Sequence, residues 1–233
     1  ITKDGKINKI INGATDWVYE EEFSIHKGFE WSPDGKKLAY YVFDETDVKE
    51  FQMKMYGTLY PTHYKFKYPK AGEDNSLISI RIFDTQYDRH FVFDVGNNPD
   101  IYIPRIMWSK RRDELIVFKM NRLQNKLELL SGTFSMDTPN NIGIKTKPIY
   151  TEKCTTYIDI HDNTSFINEN EFIWTSEKDG YNHIYLINYA NGTEKQLTSG
   201  DWDVTEVYGY ASQSKKIFFQ AAKSHPTKRE IYA

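Results

Sequence analysis

The sequence predicts an all-β fold: a partial β-propeller of roughly four blades, each a four-stranded antiparallel sheet, with one short acidic helix. Aromatic side chains make up 15% of the 233 residues, a bias that is typical of the pleated surfaces of sheets. Strand-like segments recur along the chain, and each is closed by turn residues such as Gly, Pro and Asp. In the second half these units lie about 40–50 residues apart, which is the length of a four-stranded blade.

The first predicted pair of strands shows the pattern clearly. Residues 29–31 lead into a Ser-Pro-Asp-Gly turn at 32–35, and an apolar strand follows at 38–43. Proline presets φ and glycine accepts positive φ, so this turn has a physical cause. The Trp-Ser-turn-strand unit at Trp31 recurs at Trp108. The remaining strands are predicted at 77–83, 91–95, 106–109, 114–120, 126–130, 171–175, 183–188, 194–197, 206–210 and 215–221.

Helical patterns are scarce. Residues 15–22 are the best candidate for a helix, and residues 48–55 are a weaker one. Residues 44–76 are predicted to be a long excursion between strands, rich in Tyr, Lys, Pro and Gly. An excursion of this size in a compact domain usually serves an interface or the rim of a site.

Residues 1–233 are interpreted as one partial propeller domain. A propeller protects its sheet edges by closing its ring. About four blades do not close such a ring, so we expect the chain to be a piece of a longer protein.

The composition argues against several classes of partner. A formal net charge of −3 and a pI near 6.1 give no electrostatic basis for binding nucleic acid. No apolar run approaches the ~20 residues that span a bilayer, so we expect no membrane segment. Cys154 is the only cysteine, which excludes an intrachain disulfide and cysteine-based zinc sites. We expect neither a cofactor nor a metal ion.

The histidines are scattered without the spacing of metal ligands, so structural or surface roles are expected for them. His161 and Asp162 are adjacent, but neighbours on a strand point to opposite faces. Residues 159–162 are therefore interpreted as a polar strand end rather than a site. The six histidines are His26, His63, His90, His161, His183 and His225.

Three consecutive glutamates follow an aromatic turn at the predicted helix. Thr15 or Asp16 can cap that helix, and acidic residues in its first turn face the positive end of the helix dipole. Glu21 and Glu22 then project about 100° apart, so their carboxylates can converge on one small cation. An α-ammonium group, with one charge and three N–H donors, suits such a pair. The alternative is a solvated acidic helix end with no ligand.

The surrounding segments resemble a known family. The chain is similar to the N-terminal β-propeller domain of the dipeptidyl peptidase IV branch of the prolyl oligopeptidase family, in a bacterial-type version. The Trp-Ser-Pro-Asp-Gly turn occurs in many propellers, whereas the segments at 16–23 and 68–72 are specific to this family. The segments are 16–23 (DWVYEEEF), 29–35 (FEWSPDG), 68–72 (YPKAG), 103–109 (IPRIMWS) and 176–185 (SEKDGYNHIY).

The resemblance implies an eight-bladed propeller stacked on a C-terminal α/β-hydrolase domain that carries a Ser-Asp-His triad. Such enzymes release X-Pro or X-Ala dipeptides from free peptide N-termini. By position in the family's motif, Glu21 and Glu22 would bind the substrate ammonium and Glu20 would be structural. Trp17 and Tyr19 would pack the helix onto its blade.

The resemblance also concerns assembly and location. In this family a propeller arm often helps to form a homodimer, and the corresponding excursion here is 44–76. The family further implies a periplasmic or secreted protein.

The chain itself is expected to bind part of a substrate and to cleave nothing. The family's Gly-x-Ser-x-Gly nucleophile motif is absent, since Gly132 and Ser135 have the wrong spacing, and no catalytic residue is assigned. An arginine that holds the substrate carbonyl in some members would lie before residue 1. Two alternatives remain: a non-catalytic relative that acts in protein–protein contacts, and, less favoured, a scaffold propeller of the WD40 or TolB type.

Overall fold

The computed structural model describes residues 1–110, 114–138 and 141–233, which form one short helix and eighteen strands. The helix is α1 (Trp17–Phe23). In chain order the strands are β1 (Ile10–Asn12), β2 (Phe29–Trp31), β3 (Lys37–Asp44), β4 (Glu50–Met55), β5 (Thr62–Lys67), β6 (Leu77–Asp84), β7 (Arg89–Val92), β8 (Ile101–Trp108), β9 (Glu114–Asn121), β10 (Lys126–Thr138), β11 (Asn141–Lys153), β12 (Ser165–Phe166), β13 (Glu171–Ser176), β14 (His183–Asn188), β15 (Glu194–Gln196), β16 (Val204–Ala211), β17 (Lys216–Ala221) and β18 (Glu230–Tyr232).

The strands form four successive antiparallel sheets and one separate hairpin. The first sheet has the order β1-β3-β6-β7, with β2 also paired to β3. The second has the order β11-β10-β9-β8, the third β12-β13-β14-β15 and the fourth β16-β17-β18, while β4 and β5 pair only with each other. The predicted all-β class, built of consecutive antiparallel blades with one short helix, is confirmed.

One edge of the first sheet is a broken strand. β1 pairs with β3 from Asn12 opposite Val42, and β2 pairs with β3 from Phe29 opposite Tyr40, so Tyr41 faces the break. Gly13 donates to the Tyr41 carbonyl, Tyr41 donates to the Gly28 carbonyl, and Gly28 donates to the Gly13 carbonyl. The chain thus leaves the sheet at Gly13 and returns at Gly28, and α1 lies in the loop between them.

Adjacent sheets pack on each other through apolar side chains. The main core joins the first three sheets, while a smaller cluster joins the third sheet to the fourth. Alternation along β13 explains how one strand serves both cores: Phe172 and Trp174 enter the main core, and Ile173 enters the smaller one. This is the packing of stacked blades.

The segment 44–76 contains a hairpin, and the weak helix prediction for residues 48–55 is wrong. Residues 50–55 alternate strictly between polar and apolar side chains, which is the period of a strand rather than of a helix. They form β4, which pairs with β5 from Glu50 opposite Lys67 to Met55 opposite Thr62. The hairpin is largely exposed, and Lys67 ties its base to the carbonyls of Thr46 and Val48.

The described residues lack two features that bear on function. None of their helices has the length and apolar character needed to cross a membrane. They also contain no group of three or more His, Cys, Asp or Glu side chains placed to hold a metal ion.

Candidate functional site

The acidic motif lies on α1, and both ends of this helix are defined by specific contacts. Asp16 is the N-cap: its carboxylate accepts from the backbone N–H of Tyr19 at 3.0 Å and from the hydroxyl of Ser76 at 2.6 Å. Burial raises the pKa of Asp16 above its ordinary value, although these hydrogen bonds act in the opposite direction. At the other end, Ser24 adopts a left-handed conformation with φ 54°, and Ile25 donates to the Tyr19 carbonyl. The helix therefore begins two residues later than the predicted 15–22 and ends one residue later.

Tyr19 fixes α1 to two sheets. Its ring is buried, and its centroid lies 4.8 Å from that of Phe43 in the first sheet and 6.1 Å from that of Tyr102 in the second. Its phenol oxygen accepts from the backbone N–H of Ile103 at 2.8 Å. The predicted packing role of Tyr19 thus corresponds to an anchor between the two blades.

Trp17 has a different neighbour from the one expected. Its ring lies 5.4 Å from Phe66 and 5.2 Å from Tyr68, so it packs on the base of the β4–β5 hairpin rather than on the blade. Because Tyr19 enters the core two residues later, the two aromatic residues point away from each other on α1. The helix is therefore held between the core and the hairpin.

The three glutamates are all exposed, but they differ in their partners. Glu20 lies 3.7 Å from the ring of His26, at the surface. In the part of the chain that the structure describes, Glu21 and Glu22 have neither a hydrogen-bond nor an ion-pair partner within contact distance. Burial raises the pKa of Tyr157, and the negative charges of Asp159 and Glu22 raise it further, so the helix end faces the segment 154–163. Two free carboxylates at a rigid position can accept hydrogen bonds from an incoming cation.

Arg105 and Asp162 lie at the end of α1. Arg105 was not singled out from the sequence, and Asp162 was interpreted as part of a polar strand end rather than of a site. Arg105 on β8 donates from Nη1 to the carbonyl of Phe23, the last residue of α1, at 2.7 Å. It also forms a two-point ion pair with Asp162, with Nε–Oδ1 at 2.5 Å and Nη2–Oδ2 at 3.1 Å. One signal was available, because Arg105 is the only charged residue in the otherwise apolar strand β8.

Segment 154–163 is a loop, so the interpretation of residues 159–162 as a strand end is wrong. His161 is half-buried, with its Nε2 atom shielded from solvent, and its ring centroid lies 4.3 Å from that of Trp174. Its Nδ1 accepts from the backbone N–H of Asn163, which folds the loop tightly instead of extending it. Desolvation lowers the pKa of His161 to about 4. A cavity of about 350 Å³ opens beside this loop, between Tyr157 and Lys178.

The structure offers no sign of a nucleophile at Gly132. A nucleophile elbow is a sharp turn between a strand and a helix, whereas Gly132 lies within the continuous strand β10. A Cβ atom added to Gly132 would lie 2.2 Å from the ring of Phe93, so glycine is needed there for packing. The side chain of Ser135 lies outside the described residues.

Comparison with known proteins identifies the relatives of the chain. The family model described as "Dipeptidyl peptidase IV (DPP IV) N-terminal region" matches residues 1–233. The chain is 32% identical over 249 residues to prolyl endopeptidase FAP of Bos taurus, and 26% identical over 250 residues to a probable dipeptidyl peptidase 4 of Aspergillus clavatus. Each match covers 100% of this chain and 32% of the relative.

Solved structures show the same likeness. The crystal structure of Porphyromonas gingivalis dipeptidyl peptidase 4 superposes with a TM-score of 0.89 at 38% identity, covering 99% of this chain and 32% of that one. A putative dipeptidyl aminopeptidase IV from Bacteroides ovatus gives a TM-score of 0.79 at 26% identity, with 93% and 32% covered. The chain thus spans about a third of the length of the proteins it matches.

Proposed function

The chain belongs to the dipeptidyl peptidase IV N-terminal region family, and from this premise we propose that it is the substrate-gating and amine-anchoring propeller of a serine exopeptidase. The enzyme releases X-Pro and X-Ala dipeptides from peptide N-termini. A C-terminal α/β-hydrolase domain of the same polypeptide supplies the Ser-Asp-His triad. The length of the relatives supports this arrangement, since they are about three times as long as the chain.

The observation that carries the proposal is the difference among the three glutamates. All three are exposed, but Oε1 of Glu20 lies 3.7 Å from Nδ1 of His26, with which it forms an ion pair when the imidazole is protonated, whereas Glu21 and Glu22 have no partner among the described residues. They lie on a helix whose cap and core contacts are buried, so their backbone is held firmly while their carboxylates stay available. Unpaired carboxylates at a fixed position match a ligand with a positive charge.

Such an anchor explains how two residues are removed at a time. If Glu21 and Glu22 hold the α-ammonium, chain geometry places the second peptide bond at the nucleophile. Each residue spans at most ~3.6 Å, so a slip by one residue moves the carbonyl out of reach of attack. Hydrogen bonds from a charged ammonium to a carboxylate contribute roughly 1.5–3 kcal/mol each. Acetylation of the peptide removes that charge and leaves the two carboxylates without a cation.

The test uses the full-length protein and a Gly-Pro chromogenic substrate, either free or N-acetylated. Wild type is expected to cleave only the free-amine substrate, and the variant Glu21→Gln/Glu22→Gln is expected to lose this cleavage while remaining folded. Glu20→Gln is the matched control, because it removes the neighbouring charge from the same helix. It should retain most of the activity.

Each outcome of this test has a distinct meaning. A double variant that keeps both its activity and its preference for the free amine contradicts the assignment of Glu21 and Glu22. An inert wild type contradicts the enzyme proposal and favours a non-catalytic propeller that acts in protein–protein interaction.

We also propose that the β4–β5 hairpin takes part in a homodimer. The hairpin exposes several large apolar and aromatic side chains to solvent. A group of exposed side chains of this kind is typical of a protein–protein interface. Substituting Tyr56 and Tyr60 by Ser should shift the protein from dimer to monomer in analytical ultracentrifugation, and an unchanged mass would contradict the proposal. The exposed side chains are Met53, Met55, Tyr56, Leu59, Tyr60 and Tyr64.

A further inference from the structure

We propose that Arg105 is a positioning residue for the amine anchor: it holds the carboxylates of Glu21 and Glu22 in place by fixing the C-terminal end of α1. This inference rests on the proposed function, because it concerns the same ammonium site. It assigns a role to a residue in β8, 82 positions from Phe23 along the chain and on a different sheet.

The end of α1 needs an external partner. The last four carbonyls of a helix have no donor within the helix, and α1 has only seven residues. Helices this short are marginal by themselves, and the last turn of α1 contains no basic residue. Ile25 donates to the carbonyl of Tyr19, one turn before the helix end, and the carbonyl of Phe23 at the end itself accepts from outside the helix. Nη1 of Arg105 occupies that position at 2.7 Å, and its charge also suits the negative end of the helix dipole.

Arg105 is itself held in one orientation. Asp162 takes Nε and Nη2, which leaves Nη1 free to contact the carbonyls of Phe23 and Pro104, both at 2.7 Å. The planar guanidinium makes this division of donors possible, since lysine has a single nitrogen. Arg105 is mostly buried, with 20% of its side chain exposed, and Asp162 is largely open to solvent. We call this ion pair of Arg105 and Asp162 the bracket. Its arginine is packed into the protein, and its aspartate faces solvent.

The bracket connects the C-terminal end of α1 to strand β8 and to the loop 154–163. Asp162 belongs to the loop 154–163, and the ring of its neighbour His161 packs against Trp174 of the third sheet. Tyr19 already ties the middle of α1 to Ile103 on β8. Arg105 adds a second attachment to β8, at the helix end where Glu22 directly precedes Phe23.

Loss of this attachment should move the anchor more than it weakens the fold. Glu21 and Glu22 directly precede Phe23, and a helix rises only 1.5 Å per residue. A small displacement of the Phe23 carbonyl should therefore move both carboxylates with it. Misplacement of a bound group by about 1 Å costs on the order of 100-fold in rate. The core contacts of Tyr19 and Phe23 remain when Arg105 is changed, because they are made by rings.

The experiment measures kcat/KM of the full-length protein for a free-amine dipeptide substrate and for its des-amino analogue. The ratio of the two values reports the ammonium contact alone, because loss of folded protein lowers both equally. Arg105→Gln should lower this ratio about 10- to 100-fold. Arg105→Lys keeps the charge but has only one donor nitrogen, so it should recover part of the loss.

Arg122→Gln is the matched control. Arg122 makes the same kind of double contact elsewhere, with the carboxylate of Asp100 at 3.1 Å and the backbone carbonyl of Glu73 at 2.9 Å. Its substitution should leave the ratio unchanged. An equal effect of Arg105→Gln and Arg122→Gln on the ratio would overturn the proposal.

Two further variants decide the remaining outcomes. If Arg105→Gln does not fold, Asp162→Asn frees Arg105 from its bracket without removing it, and an unchanged ratio in that variant overturns the proposal. The double variant Glu21→Gln/Glu22→Gln separates this inference from the proposed function. If the double variant loses the preference for the amine and Arg105→Gln does not, only the role of Arg105 is wrong.

Discussion

Tyr19 and Ile103 are joined by a hydrogen bond of 2.8 Å between a phenol oxygen and a backbone N–H, across 84 positions of sequence. The carbonyl of Ile103 in turn accepts from the phenol of Tyr41 at 3.1 Å. The backbone N–H and C=O of the buried Ile103 are therefore both hydrogen-bonded to tyrosines. Tyr41 comes from the first sheet, and Tyr19 comes from the helix inserted into that sheet's edge. The acidic helix is attached to the second sheet at its backbone, which makes the placement of Glu21 and Glu22 a property of two blades.

Removing the phenol of Tyr19 should destabilise the protein. Tyr19→Phe keeps the ring packing but leaves the N–H of Ile103 buried without its acceptor, at a cost of about 1–3 kcal/mol in the free energy of unfolding. Urea denaturation measures the change. Tyr64→Phe, on the exposed hairpin, is the control and should change stability by less than about 0.5 kcal/mol. Equal stability of the two variants would contradict the role given to this hydrogen bond.

Gly28 should not tolerate a side chain. A Cβ atom there would lie 2.6 Å from the carbonyl oxygen of Ala14 and 2.9 Å from the carbonyl carbon of Gly13, both of which are backbone atoms. Gly28→Ala is expected to lower the unfolding free energy by roughly 1–3 kcal/mol, because the broken strand must spread. Gly57→Ala has open space around the added atom and should be close to neutral. Thermal unfolding of both variants tests the comparison.

His161 should make the protein less stable in acid. Its pKa is lowered from 6.5 to about 4 by burial, so the unfolded chain takes up its proton at a higher pH than the folded protein does. The free energy of unfolding should therefore be highest above pH 6.5 and fall as the pH drops towards 4, by up to about 3 kcal/mol. Asp16 and Glu45 oppose this trend, because burial raises the pKa of each carboxyl and their protonation favours the folded state.

The contribution of His161 can be isolated by substitution. His161→Phe keeps an aromatic ring against Trp174 but does not titrate. The difference in unfolding free energy between pH 7 and pH 4.5 should be smaller in this variant than in the wild type. The same pH dependence in both proteins would show that another group is responsible.

Trp17 should control the order of the β4–β5 hairpin. A two-stranded hairpin is marginal without further packing, and Trp17 covers its base through Phe66 and Tyr68. Trp17→Ala is expected to accelerate amide hydrogen exchange and limited proteolysis in residues 50–67, with little change in global stability. Trp31→Ala, which removes a similarly exposed tryptophan from β2, should leave exchange in the hairpin unaltered. The idea fails if the two variants exchange alike.

The elements that could be predicted from the sequence are those that depend on neighbouring residues only. The Ser-Pro-Asp-Gly turn and the alternating strands follow from residue chemistry, and α1 follows from its Asp16 cap. β11 was missed because Pro148 interrupts its pattern. The structure tolerates this proline because β11 is an edge strand with a register shift opposite Leu129 and Leu130. β4 was missed although its alternation was visible.

The site divides in the same way. Glu20, Glu21 and Glu22 are contiguous, so their chemistry follows from the order of the residues alone. Arg105 and Asp162 are 57 positions apart, and nothing local indicates that they meet. Their pairing depends on how the second sheet and the loop 154–163 stack, which is a property of tertiary packing. Composition and strand spacing predicted the partial propeller, and the family resemblance supported it, whereas the contact between Arg105 and Asp162 is visible only in the structure.

Because the edge strand is broken between Gly13 and Gly28, residues 14–27 form an inserted loop whose sequence can change without altering the sheet. The ladder on either side of Tyr41 is closed by backbone hydrogen bonds at Gly13 and Gly28, whatever the inserted residues are. Doubling the length of such a loop costs only about 0.6 kcal/mol in closure entropy. The length and sequence of this loop can therefore change while the blade that carries it stays the same.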